Sequence, residues 1–199
     1  MPTIFTDNFN SYTDGDLTGQ GSWSGSTAFD VQGTTVKEGA KAVEMLSVVD
    51  LEIEKAGDLT NDGTLVAYIR VNSAGKLRFR LLEGTVVKVI VDFYGSTATP
   101  ASSVRYHDGT AFQNIGSISD DIFTEFEVEW RSSDKKARYR VGTGAFTAFD
   151  ITFASWTNGL DKVNFNSFSL TGGNTFFDSI AATPIISAGT FKSLTGVGI

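Results

Sequence analysis

Three glutamates alternate along one short segment of the chain, and paired carboxylates are what glycosidic bond hydrolysis requires. In a strand, Glu125, Glu127 and Glu129 would point to one face, with neighbours about 6–7 Å apart at a rise of about 3.3 Å per residue. Retaining glycoside hydrolases need carboxyl groups about 5–5.5 Å apart, and inverting ones a wider pair. A charged row opposite Phe126 and Val128 is also typical of a half-buried strand. We favour this second interpretation and predict that the chain is not an enzyme.

The sequence contains few of the residues that other catalytic mechanisms need. His107 is the single histidine, it precedes Asp108-Gly109 at a predicted hairpin turn, and there is no cysteine. These absences disfavour thiol nucleophiles and zinc sites, whereas calcium needs only oxygen ligands. Asp178 shares a predicted strand face with Phe176 and Ile180, so its carboxylate needs a cation, an arginine or backbone N–H donors. The residues leave a calcium ion and backbone amides open as its partners.

An aromatic side chain in a predicted loop is the best candidate for contact with a sugar. Trp156 lies within Ala154-Ser-Trp-Thr-Asn-Gly159, and Asn158, Tyr94 and Tyr106 could add polar contacts. Sugar C–H faces stack on exposed rings, but tryptophan is buried on average. Trp156 is therefore either a binding platform or a core residue.

The elements that must position these residues are strands. Leu77, Phe79 and Leu81 alternate with Arg78 and Arg80, and this period of two indicates one buried and one solvent-facing side. The same alternation recurs within residues 63–71, 87–93, 126–130 and 138–141, between turn signals such as Asp-Gly and Asn-Gly. The pattern predicts an all-β fold, a two-sheet antiparallel β-sandwich or jelly roll.

Several ordered motifs resemble concanavalin A-like, laminin G-like jelly rolls over roughly residues 4–182. Phe123 to Trp130 would be the Trp-containing strand of that family. The other matching segments are Phe5-Thr-Asp-Asn-Phe9, Gly15-Asp-Leu17, Gln20-Gly-Ser-Trp23, Tyr106-His-Asp-Gly-Thr-Ala-Phe112, Asn114-Ile-Gly116, Val163-Asn-Phe165 and Thr175-Phe-Phe-Asp-Ser-Ile180. The resemblance implies two stacked sheets and no single function, because this fold hosts lectins, hydrolases, lyases and virion proteins.

The resemblance also refines the candidate sites. The first and last strands of these jelly rolls lie side by side, which implies that Asp7 and Asn8 neighbour Asp178 in a calcium site. Laminarinase-type hydrolases of this fold place an aspartate between two glutamates on one strand, whereas the middle acid here is Glu127. Trp23 resembles a Trp that packs near the first segment of the family.

The chain divides into a domain at residues 1–182 and an apolar tail at residues 183–199. The tail has Pro184 as its second residue and carries one charged side chain. It is either a terminal strand or disordered end of its own domain, or an arm that docks on a neighbouring subunit or assembly.

Charge and hydropathy exclude two classes of partner. The formal net charge is -7 with a pI of about 4.7, and no cluster of Lys or Arg offsets it, which disfavours nucleic acids. No apolar run reaches membrane-spanning length, and no leader-like segment precedes the first predicted strand.

We therefore predict a non-catalytic binding module for a glycan or cell-surface polymer, outside the cell or on a virion. A structural, decoration or appendage subunit of a virion or other surface assembly is the alternative. A polysaccharide hydrolase or lyase is the third hypothesis.

Overall fold

A computed structural model of the chain describes residues 5–46, 50–59, 62–167 and 173–185. Within these ranges every regular element is a strand. The strands are β1 (Phe5–Asp7), β2 (Gly15–Asp16), β3 (Trp23–Gly25), β4 (Phe29–Gln32), β5 (Ala42–Met45), β6 (Glu52–Leu59), β7 (Gly63–Val71), β8 (Lys76–Glu83), β9 (Val86–Tyr94), β10 (Ser103–His107), β11 (Phe112–Gly116), β12 (Thr124–Arg131), β13 (Lys136–Val141), β14 (Asp150–Ile151), β15 (Leu160–Asn166) and β16 (Thr175–Pro184).

The strands form two antiparallel sheets in a sandwich, as the alternation predicts. The nine-stranded sheet has the order β14-β13-β12-β7-β16-β5-β4-β2, with β1 paired to β16. The seven-stranded sheet has the order β11-β10-β9-β8-β15-β6-β3. The predicted all-β sandwich is confirmed.

Aromatic side chains fill the space between the sheets. The Phe177 ring of β16 stacks on Phe165 of β15 with centroids 4.0 Å apart, and Phe9, Trp23 and Phe29 surround it at 5.7, 5.9 and 6.4 Å. These stacked rings join the two sheets across the core.

The first and last described strands are neighbours, as the resemblance implies. Phe5 pairs with Ala182 and Asp7 with Ile180. The strand β16 continues to Pro184, beyond the boundary predicted at residue 182, because Pro184 still pairs with Gly63. The tail from residue 186 onward lies outside the described residues. In the described part of the chain no helix is long and apolar enough to cross a membrane.

Candidate functional site

The outer side of the seven-stranded sheet carries a group of polar side chains that we call the polar face. On β6, β15, β8, β9 and β10, apolar side chains such as Ile53, Phe165 and Phe79 enter the core, so the alternating residues point to the other side of the sheet. The polar face consists of Glu52, Glu54, Lys76, Arg78, Arg80, Asp92, Tyr94, Arg105, Lys162, Asn164 and Asn166.

Several members of the polar face are buried although they lie outside the core. Asp92, Asn164 and Asn166 are 0%, 1% and 5% exposed. Asp92 accepts two hydrogen bonds from Arg78 at 2.6 and 2.8 Å and one from the Tyr94 hydroxyl at 3.1 Å. Burial, together with the neighbouring Asp92 carboxylate, raises the pKa of Tyr94 to about 12. The hydrogen bonds among Arg78, Asp92 and Tyr94 hold these three side chains in place on the polar face.

An ion pair crosses the middle of the polar face. Arg80 of β8 donates to Glu52 of β6 at 3.0 Å, and β15 lies between those strands, so the pair passes over β15 and its asparagines. The Nδ2 of Asn164 donates to the Glu52 carboxylate at 3.4 Å, whereas the Oδ1 atoms of Asn164 and Asn166 and the Nε of Arg80 are buried without a hydrogen-bond partner in the described part of the chain. Unpaired buried polar atoms are rare in native proteins and call for an explanation.

A depression of about 300 Å³ adjoins this ion pair. Its lining includes Glu52, Glu54, Leu82 and Lys162, and Lys162 donates to Glu54 at 2.8 Å. None of the described residues in the lining is aromatic, so a ligand here would be recognised mainly through hydrogen bonds and charge.

The residues predicted to bind a sugar do not form an exposed platform. Trp156 is 2% exposed, and Tyr94 and Tyr106 are each 6% exposed. The Tyr106 ring enters the core, where it stacks on Tyr139 with centroids 4.5 Å apart. Asn158 is exposed, but it lies in the loop before β15 and not on the polar face. Of the four, only Tyr94 belongs to the polar face.

Asp7, one of the predicted calcium ligands, already accepts four hydrogen bonds. The donors are the Tyr12 hydroxyl at 2.6 Å, the Trp23 indole and the Lys55 ammonium at 2.8 Å each, and the Phe9 amide at 3.1 Å. Lys55 belongs to β6 and Asp7 to β1, so the carboxylate links the two sheets. Burial and the Asp7 carboxylate together raise the pKa of Tyr12.

Asp178, the second predicted ligand, meets backbone amides. Its carboxylate accepts from the amides of Lys37 and Glu38 at 2.8 and 3.0 Å, while burial raises its pKa. Asn8 is exposed, and its side chain accepts from the Asn10 amide at 3.2 Å. Among the described residues, no three acidic, histidine or cysteine side chains are grouped to hold a metal.

We expect calcium to leave the stability of the protein unchanged. The oxygens of Asp7 and Asp178 are engaged by donors that a cation would have to displace, and a ligand stabilises a fold only if it binds the native state. Scanning calorimetry of chelator-treated protein with and without millimolar calcium measures this. A rise in the melting temperature would support the calcium site that the sequence predicts.

The three glutamates of β12 lie on the outer side of the other sheet, opposite arginines of β13. Glu129 pairs with Arg138 at 2.9 Å, and Glu127 and Glu125 both pair with Arg140. The registers Glu129 to Arg138 and Glu127 to Arg140 place each acid beside a base. Cross-strand pairs of opposite charge stabilise antiparallel sheets, so these ion pairs support the pairing of β12 with β13.

The most informative residues of the polar face were missed at the level of sequence. Asn164 and Asn166 alternate with Val163 and Phe165 in β15, and in the sequence this motif indicates the fold but not the site. A neutral amide on the outer side of a central strand was the available signal. Its burial depends on side chains from β6 and β8, which the local sequence does not reveal.

Comparison with known proteins matches structures and not sequences. No protein-family model and no curated protein matches the chain. A sialidase superposes with a TM-score of 0.71 at 11% identity over 92% of this chain, which spans only 19% of that protein. A carbohydrate esterase from Shiga toxin-encoding bacteriophage phi24B gives 0.63 at 15% identity, over 91% of this chain and 97% of the other.

A third structure, the Emp46p carbohydrate recognition domain in its potassium-bound form, gives a TM-score of 0.55 at 11% identity, over 90% of this chain and 95% of the other. The chain has the concanavalin A-like jelly-roll fold. At such low sequence identities, the structural similarity establishes the jelly-roll fold but not the function. The function has to be argued from the residues of the site.

Proposed function

We propose that this jelly roll binds a glycan through its polar face without cleaving it. The observation that carries the proposal is the set of unpaired buried atoms beneath the Arg80–Glu52 ion pair. The Oδ1 atoms of Asn164 and Asn166 accept hydrogen bonds, and sugar hydroxyls donate them. A bound sugar would supply hydrogen-bond partners to these atoms, which have none among the residues that the structure describes.

Access to these atoms requires only side chains to move. The Glu52 side chain is 55% exposed, so its pairing with Arg80 contributes little to stability and is readily exchanged for a ligand. Reorientation of both side chains would uncover Asn164 and Asn166 and extend the depression beside them. The sheet itself remains fixed by its ladders and by the Arg78–Asp92 pair.

The names of the matched structures agree with a glycan-related function, since a sialidase, a carbohydrate esterase and a carbohydrate recognition domain are among them. The absence of cleavage is supported by the arginine partners of Glu125, Glu127 and Glu129. The oxygens of these carboxylates already accept hydrogen bonds from arginines, which a substrate would have to displace. Such a module would bind glycans outside the cell or on a cell surface.

Replacing Asn164 with alanine should reduce glycan binding without reducing stability. The Oδ1 that is lost has no partner among the described residues, and the Nδ2 that is lost donates only a long hydrogen bond of 3.4 Å to the exposed Glu52. Removing both atoms should therefore cost little folding stability. One hydrogen bond to a sugar contributes up to about 1.5 kcal/mol, which is about a tenfold change in affinity. A glycan array identifies the ligand, and isothermal titration of both proteins with that ligand measures the loss.

Thr64→Ala serves as the matched control, because Thr64 points outward from the centre of the nine-stranded sheet. This variant should keep the affinity of the unmodified protein. Equal binding by the Asn164→Ala variant, or an array without any bound glycan, would contradict the proposed function.

A further inference from the structure

The charges of the polar face differ in sign from those of the chain as a whole. The chain has a formal net charge of -7. On the polar face, five cationic side chains, Lys76, Arg78, Arg80, Arg105 and Lys162, stand against three carboxylates, Glu52, Glu54 and Asp92. A polyanion would therefore be repelled by most of the surface and attracted to this face.

Three of these cations have unused capacity to bind an anion. Arg80 keeps a buried Nε–H without a partner. Arg105 donates to the carbonyl of Phe112 at 3.3 Å and lies over the Phe112 ring at 5.0 Å. Within the described ranges, neither Arg105 nor Lys76 has a carboxylate partner. Guanidinium groups bind carboxylates and sulfates through paired, charge-assisted hydrogen bonds.

We propose that the preferred ligand is an acidic glycan, with an anionic group that takes the place of Glu52 as the partner of Arg80. This inference rests on the proposed function and names its ligand class. The anionic group would accept from the Nε and Nη atoms of Arg80, and neighbouring hydroxyls would donate to Asn164 and Asn166. A neutral glycan supplies the hydroxyls but leaves the Arg80 Nε–H unsatisfied or bound by a weaker acceptor.

The test compares polymers that differ only in charge. The protein is titrated with polygalacturonate, alginate and hyaluronan, and with the carboxyl-reduced form of each, in which every carboxylate becomes a neutral hydroxymethyl group. A second comparison, dextran sulfate against dextran, tests whether a sulfate group is preferred. We expect the charged member of at least one pair to bind about tenfold more tightly. The difference should shrink between about 20 mM and about 500 mM salt as screening increases.

Arg70→Gln is a matched control for Arg80→Gln. Arg70 and Arg80 have side chains 19% and 18% exposed, and each pairs with an exposed carboxylate, Asp121 or Glu52. Arg70 lies on the nine-stranded sheet. Both substitutions change the net charge equally, so only Arg80→Gln should abolish the preference for the charged polymer, while both variants keep their melting temperature.

Equal binding of charged and neutral polymers, or equal losses in the two variants, would overturn the acidic preference. If neutral glycans still bound and Asn164→Ala still reduced that binding, the proposed function would stand and only the ligand class would be wrong. If neither charged nor neutral glycans bound, the proposed function would fail with it.

Discussion

Replacing Asp7 with alanine should destabilise the protein by about 3–5 kcal/mol, because the substitution breaks a buried ion pair and removes a shared acceptor. The Asp7 carboxylate is the acceptor for Tyr12, Trp23 and Lys55, and Trp23 is 1% exposed. Without it, buried donors that now meet a negative charge lose that partner. At about 2–4 °C per kcal/mol for a chain of this size, the melting temperature should fall by about 10 °C. Thermal unfolding followed by circular dichroism measures the fall.

Asp14→Ala provides the comparison for this prediction. Asp14 also pairs with a lysine, Lys41, but the Asp14 side chain is 69% exposed, and exposed pairs contribute about 0–1 kcal/mol. Asp7→Asn should lie between the two, since the amide keeps one acceptor oxygen. A loss for Asp7→Ala no larger than that for Asp14→Ala would show that the carboxylate does not link the sheets energetically.

The fold could be predicted from sequence because its determinants are local. Alternation places Leu65, Ala67 and Ile69 on one side of β7, and the burial pattern of that strand follows it residue by residue. The pairing of the first and last strands came from the resemblance, since no local signal joins Phe5 to Ala182. Alternation shows which residues share a face, but it does not show which strands are neighbours.

The site could be predicted only in part, because exposure depends on neighbours that are distant in sequence. The sequence places Trp156 in a polar loop, which suggests an exposed side chain. In the fold, however, this side chain is buried, with only 2% of its surface exposed. Asn164 reads as an ordinary solvent-facing residue, yet Arg80 and Glu52 meet above it from strands on either side. Two of the partners of Asp7 are 16 and 48 residues away in the sequence. The local sequence therefore does not reveal that this carboxylate links the two sheets.

The pairing of the β12 glutamates was more accessible to sequence reasoning. The strands β12 and β13 form a hairpin through residues 132–135, and a short turn fixes the register of both strands. That register places Arg138 and Arg140 opposite Glu129 and Glu127. The sequence shows the alternating arginines and glutamates. The hairpin register is the further information that predicts their pairing.

Phe177→Ala should destabilise the protein by about 3–5 kcal/mol, because it opens a cavity where the two sheets meet. The Phe177 ring is fully buried, stacks on Phe165 and has Phe9, Trp23 and Phe29 as further neighbours. Trp23, Phe29 and Phe165 come from different strands of both sheets, and Phe9 comes from the loop after β1. These rings therefore cannot close around the space without moving the backbone.

Urea unfolding of the Phe177→Ala variant should show a lower midpoint with an unchanged slope, since the surface exposed on unfolding stays nearly the same. Phe153→Ala is the control, because Phe153 is 40% exposed and its removal should cost less than about 1 kcal/mol.

The cavity left by Phe177→Ala should also loosen the polar face. Phe165, which stacks on Phe177, lies between Asn164 and Asn166 in β15. Glycan affinity of the folded Phe177→Ala variant should therefore fall, whereas that of Phe153→Ala should not. Equal midpoints for the two variants would show that the aromatic cluster does not hold the sandwich together.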